Sequence, residues 1–151
     1  MRLSEHFTLD ELTVTSTGLP NNPDRRSLVG LTRLCYVLLE PIRELAAGSV
    51  HVNSGYRSEA VNRAVGGSET SRHRSGAAAD IWWKDDVYVS MADLCQYSFD
   101  AFPLDFDQII HYPPEFHRTE RLHVGLALIG QDPRREVLIC TGPKSYKPWG
   151  T

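Results

Sequence analysis

No run of about 18 apolar residues occurs in the 151-residue chain, so no segment reads as a membrane span. The opening, Met1-Arg-Leu-Ser-Glu-His-Phe-Thr8, lacks the apolar stretch of a secretory signal, and the expectation is synthesis in the cytoplasm without one. Cysteine is scarce: Cys35, Cys95 and Cys140 are far apart, odd in number and form no C-x-x-C, which argues against both a disulfide framework and a thiolate zinc site. Buried free thiols in a reducing compartment fit this pattern. Net charge is only −3, so no broad basic surface invites nucleic acid or an anionic membrane. Repeats, linkers and low-complexity stretches are absent as well. A single domain spanning 1–151 is the expectation, with an apolar content of 41% to supply its core.

Helical signals cluster early. Thr8-Leu-Asp-Glu11 reads as a capping box opening a short helix. After a polar loop at about 15–24, Leu28, Leu31, Leu34, Leu38 and Leu45 recur at helical spacing, predicting a long helix over about 25–47 that Pro41 kinks or splits. A short helix is expected from Ser58 to Val65, and another from Met91 to about Ala101 behind a Ser90 cap. Strand patterns dominate elsewhere, at 49–53, 77–83, 106–112, 122–128 and 136–141, while 142–151 reads as an irregular tail. Helices first and strands later predict an α+β fold with a small, mostly antiparallel sheet.

The chemistry concentrates in Ser71-Arg-His-Arg-Ser-Gly-Ala-Ala-Ala-Asp80 and Glu120-Arg-Leu-His123. A catalytic zinc typically takes three protein ligands and leaves one position to water. His73, Asp80 and His123 are the candidate ligands. Asp80 interrupts the apolar run Ala77-Ala-Ala-Asp-Ile-Trp-Trp83, and a buried carboxylate is costly without a compensating cation. That cation is either Zn2+ or the guanidinium of Arg57 or Arg63. His123 shares its strand face with the small residues Gly125 and Ala127, which leaves space above the sheet. Glu120 is the candidate general base. Residues three apart in a straight strand point to opposite faces, so this role needs a turn between Glu120 and Leu122. His111 and Glu115 stand in reserve. Arg57, in the turn Ser54-Gly-Tyr-Arg-Ser58, is suited to grip a substrate carboxylate or to form a structural ion pair. Ser71 either contacts the same substrate group or caps a turn. Asp107-Gln108 either orients a ligating histidine or is ordinary strand polarity. His6, His51 and His117 read as surface or structural.

Ser54-Gly-Tyr-Arg-Ser58, Asn62, Gly66-Gly-Ser68, Ser71-Arg-His73, Gly76, Ala79-Asp80, Phe106-Asp-Gln108 and His123 together resemble the zinc D-Ala-D-Ala carboxypeptidases and the related phage endolysin peptidases. The opening, Leu3 to Leu12, is similar to the start of short phage and prophage members. The resemblance covers about residues 3–128. It implies the fold shared with the signalling domain of hedgehog proteins, helices packed on one side of the sheet. It also implies His73, Asp80 and His123 as zinc ligands, Arg57 and Ser71 as substrate contacts, and a glutamate three residues before the last histidine, here Glu120, as base. Other members carry an acid shortly after the Asp-Gln pair, where this chain has His111 and Tyr112. The implied activity is hydrolysis of an amide bond in a peptidoglycan stem peptide, by a D,D-carboxypeptidase or an endopeptidase, acting on the cell wall after release from the bacterial cytoplasm. The alternatives are a component of a phage particle, bound to other virion proteins with a vestigial peptidase site or one used only as the particle enters a cell, and a zinc-binding module without catalysis.

Overall fold

The computed structural model describes residues 1–84, 89–98 and 104–150, with no account of the Tyr97 side chain. Thr8 opens α1 (Leu9–Leu12) with the expected capping box: its hydroxyl accepts from Glu11 N while the Glu11 carboxylate accepts from Thr8 N. Asp24 caps α2 (Arg25–Leu34), and α3 (Glu40–Ala46) follows it. Between them runs a π-helical turn, Cys35–Leu39. Pro41 lies in the first turn of α3, directly after this interruption. Its ring removes one backbone donor and crowds the preceding turn, and a widened turn immediately before it absorbs both effects. Leu31, Leu34 and Leu38 are fully buried, while Leu28 and Leu45 pack at the core margin.

Short helices α4 (Glu59–Ala64) and α5 (Met91–Tyr97) follow, capped by Ser58 and Ser90. The expected end of the last helix at Ala101 lies outside the described residues. The strands are β1 (His51–Ser54), β2 (Ala78–Trp82), β3 (Gln108–Tyr112), β4 (Arg121–Gly125), β5 (Glu136–Gly142) and β6 (Ser145–Pro148). They form one sheet in the order β1-β2-β4-β3-β5-β6. Every pairing is antiparallel except β3 with β5. The fold is therefore α+β with a mostly antiparallel sheet. No helix among the described residues is long and apolar enough to cross a membrane.

The expected irregular tail is instead a strand. Pro143 and Lys144 form a two-residue turn, Lys144 takes φ 51°, and β6 returns along β5 with Ser145 opposite Gly142. Proline pre-sets the backbone of such a turn, which starts the reversal.

Strand alternation sorts the sheet into two faces. Ala79 and Ile81, Leu122 and Val124, Ile109, and Val137 look toward the helices and are buried in the core with Leu31, Leu34, Leu38 and Phe7. Each large apolar side chain buried there contributes about 1.5–3 kcal/mol relative to exposure. The opposite face carries Asp80, His123 and Ile110 side by side, because Asp80 is paired with His123 and His123 with Ile110. Arg121 and Tyr112 form the next row of that face.

Candidate metal centre

The site is laid on the sheet face turned away from the helices. Asp80 comes from β2 and His123 from the neighbouring β4. His73 arrives from a single 3-10 turn, Arg72–Ser75, which ends on Gly76 in the left-handed conformation, φ 68°. A side chain at Gly76 would meet Ser27 O at 2.3 Å, so only glycine lets this turn lie against α2. Ser71 caps the turn by accepting from His73 N at 3.3 Å.

Gly55 fixes the His73 ring. A Cβ at Gly55 would stand 2.4 Å from Leu12 O, and the following Tyr56 N donates to that same oxygen at 2.7 Å. Pinned in this way, Gly55 O accepts from His73 Nδ1 at 2.7 Å. Nδ1 therefore carries the proton, and Nε2 of the neutral ring offers a lone pair. That lone pair faces His123 Nδ1 at 3.3 Å and Asp80 Oδ1 at 3.4 Å, and His123 Nδ1 stands 3.0 Å from Asp80 Oδ1. Three acceptor-capable atoms thus converge with His73 fully buried and the other two side chains about 15% exposed.

This triangle fits a metal ion. Zinc bonds of about 2.0–2.1 Å in a tetrahedron place adjacent donors about 3.3 Å apart, and the edges here run from 3.0 to 3.4 Å. Among the described residues, these three form the one group of histidine, cysteine and carboxylate side chains with that convergence. Protonation states agree. Burial works to raise the Asp80 pKa, but the His73 and His123 imidazoles outweigh it and hold the carboxyl well below the usual range. Burial lowers the His123 pKa against the pull of Asp80. An ionised carboxylate and a neutral imidazole are the forms that bind metal.

Asp80 divides its two oxygens between the imidazoles and an arginine. Oδ1 faces the imidazoles, and Oδ2 accepts from Arg57 Nη2 at 2.9 Å. Arg57 also donates Nε to Ser54 Oγ at 2.9 Å, and Ser54 is opposite Asp80 across a bulge in the β1–β2 pairing. Arg63 is elsewhere, paired with Glu59 along α4. Arg57, Ser71, His73, Asp80 and His123 all line one open cleft of about 550 Å³.

Glu120 is not brought to this cluster, which corrects the expected position of the base. The required turn does not form, because Arg121 and Leu122 continue β4 with strict alternation. Glu120 therefore lies on the helix-facing side with Leu122, where its carboxylate is 2.6 Å from His111 Nε2. Its charge reaches Cys95 of α5, whose thiol is pushed up to about 12 by burial first and Glu120 second. His111, a reserve candidate, is buried on the same side against Trp149, and Glu115 is exposed. Asp80 is the one carboxylate lining the cleft among the described residues.

The remaining histidines are structural: His6 bonds Glu40, His51 stacks on Trp82, and His117 meets the Tyr112 ring edge-on. Asp107 orients no histidine. Buried, it accepts from Arg134 through both backbone N and guanidinium, and those bonds keep its pKa low against the opposing effect of burial. Sequence reasoning missed Tyr112, Arg121 and Tyr146, which also line the cleft. Parity with His123 in the paired strands would have found the first two. It also missed Asn21, which bonds Thr13 O, Tyr56 O and Ser58 N and so clamps the Arg57 turn.

The profile of one protein family, described as Peptidase M15, matches residues 5–111, more than two thirds of the chain. The match contains Arg57, Ser71, His73 and Asp80, and it ends before His123. No curated protein matches the chain.

Proposed function

The chain belongs to the peptidase M15 family, metallopeptidases that act on peptidoglycan, and from that premise we propose that it hydrolyses an amide bond in peptidoglycan stem peptides as a phage or prophage endolysin-like enzyme. The bond is either a terminal D-Ala-D-Ala linkage or an internal amide of the stem or cross-link. The carrying observation is the convergence of His73 Nε2, His123 Nδ1 and Asp80 Oδ1 at tetrahedral spacing on an open cleft.

His73, Asp80 and His123 would hold zinc, which when bound supplies a Lewis acid that polarises a carbonyl and activates water. Gly55 O keeps the His73 ring in the tautomer that presents Nε2. Arg57 holds Asp80 in place, and its remaining N–H groups are available to a substrate carboxylate. Ser71 stands at the cleft wall, where its hydroxyl, already accepting from His73 N, has a proton to donate to substrate. Glu120 takes a proton from the reacting water only if its bond to His111 breaks.

Mass spectrometry of peptidoglycan fragments incubated with the protein, with and without a chelator, tests this reading. A chelator-sensitive loss of a terminal D-Ala, or a cut stem or cross-link, is expected and names the bond. Fragments left intact across several wall types would defeat it.

The position of Glu120 favours a second reading, a virion component whose peptidase site is vestigial or acts only as the particle enters a cell. Mass spectrometry of purified particles separates the two, because a pure lysis enzyme is absent from them.

A further inference from the structure

The charge lining the cleft is lopsided: four arginines, at 57, 72, 121 and 134, face a single carboxylate, Asp80. Three of the arginines have partners within the protein. Arg57 binds Asp80, Arg134 binds Asp107, and Arg72 donates to Gln131 with Asp107 3.9 Å away. Arg121 differs. It is half-buried and, among the described residues, has no ion-pair or hydrogen-bond partner. Its guanidinium carbon sits 4.4 Å from the centre of the Tyr112 ring. Tyr112 is itself held edge-on by His117 and Tyr146, with its hydroxyl 3.4 Å from that of Tyr146. A cation stacked on a braced aromatic ring is fixed in place while all its N–H donors remain open. A half-buried charge without a counter-charge is unfavourable until an anion arrives.

We propose that Arg121, on its Tyr112–Tyr146 platform, is a second anion subsite of the cleft, and that it binds a side-chain carboxylate of an acidic peptide substrate. This rests on the peptidase reading above and adds the substrate's charge to it. Arg121 and His123 share a sheet face two residues apart, about 7 Å along the strand. An extended peptide advances about 3.3 Å per residue. A scissile amide at the His123 row therefore puts the side chain about two residues away over Arg121. The pieces of this subsite come late in the chain: Arg121 and Tyr146, like His123, follow the segment that matches the family, and β4 and β6 bring them to the cleft.

The test uses the full chain and two synthetic stem peptides that differ only in one acidic side chain about two residues from the cleaved amide, present as free carboxylate or as carboxamide. Turnover and calorimetric binding are both measured, on the wild type, Arg121→Gln and Arg121→Lys. The wild type is expected to favour the carboxylate peptide roughly 10- to 100-fold, the usual span for a hydrogen bond to a charged group, mainly in KM. Arg121→Gln brings the carboxylate peptide down to the carboxamide level, and Arg121→Lys restores part of the preference. Equal handling of the two peptides by the wild type overturns the proposal whatever the variants do. So does an undiminished preference in a folded Arg121→Gln protein. If neither peptide is cut but binding keeps an Arg121-dependent preference for the carboxylate, the subsite stands and the peptidase reading falls.

Discussion

Replacing Glu120 separates a structural carboxylate from a catalytic one. Its Oε1 lies 2.6 Å from His111 Nε2, with the His111 side chain 7% exposed and that of Glu120 23%. His111 Nδ1 is buried with no hydrogen-bond partner among the described residues, so the bond to Glu120 is what satisfies the ring. Removing one partner of a buried pair costs about 3–5 kcal/mol, and the partial exposure of Glu120 reduces this to about 1–3 kcal/mol for Glu120→Ala. At about 2–4 °C per kcal/mol for a chain of this size, the thermal midpoint falls by about 2–12 °C. Glu120→Gln keeps an acceptor within reach of His111 Nε2 and stays within about 1 kcal/mol of the wild type. Both variants are examined by thermal unfolding and by turnover on peptidoglycan fragments. If Glu120 is structural, turnover by Glu120→Gln stays within a few-fold of the wild type. A general base contributes roughly 100- to 10,000-fold. A loss of that size in Glu120→Gln, with the unfolding midpoint unchanged, would refute the reasoning and mean that Glu120 leaves His111 to act in the cleft.

Three further outcomes follow from the site and its supports. His73→Ala abolishes stoichiometric zinc binding, measured by metal analysis of the dialysed protein; retained zinc would remove His73 from the centre. Gly55→Ala forces a Cβ to 2.4 Å from Leu12 O, so it destabilises by about 1–3 kcal/mol and, by moving the carbonyl that orients His73, weakens zinc about 10- to 100-fold; an unchanged urea midpoint would contradict the close approach. Asp107 has a folded-state pKa lowered below its ordinary 3.8 by Arg134, so its contribution to stability is present above about pH 4 and is lost as pH falls through the lower folded value. Urea midpoints measured from pH 6 to pH 2 should show Asp107→Asn less stable than the wild type at the upper end and converging on it at the lower.

Local patterns made much of this molecule legible. Leu31, Leu34 and Leu38 announce the buried stripe of the long helix because apolar burial follows the helical period. Asp80 announces itself because a carboxylate in an apolar strand demands a cation, though the sequence posed zinc and Arg57 as rivals. In the fold, Arg57 takes one oxygen of Asp80 and the other is turned to His73 and His123, so the two readings do not exclude each other. The parallel pairing of β3 with β5 and the return of β6 were illegible, because they depend on which edge remains open after β4 has paired on both sides. Pro41 was read as a kink or a split, and the structure shows the interruption as a π-helical turn over Cys35–Leu39 between two α-helical segments. For Glu120 the alternation rule itself carried the answer: strand parity puts it beside His111, and the expected turn that would have overridden parity does not form.

The Arg57–Asp80 ion pair also bears on how the centre is filled. Because Oδ2 is already bound by Arg57, stripping metal from the site leaves no buried carboxylate without a counter-charge. His73 stays anchored through Gly55 O, and Asp80 and His123 stay in register through the sheet. These contacts hold the three side chains without relying on a metal ion, in contrast to small zinc modules that unfold on chelation. Such a protein can be made before it meets its ion and emptied and refilled without passing through the unfolded chain.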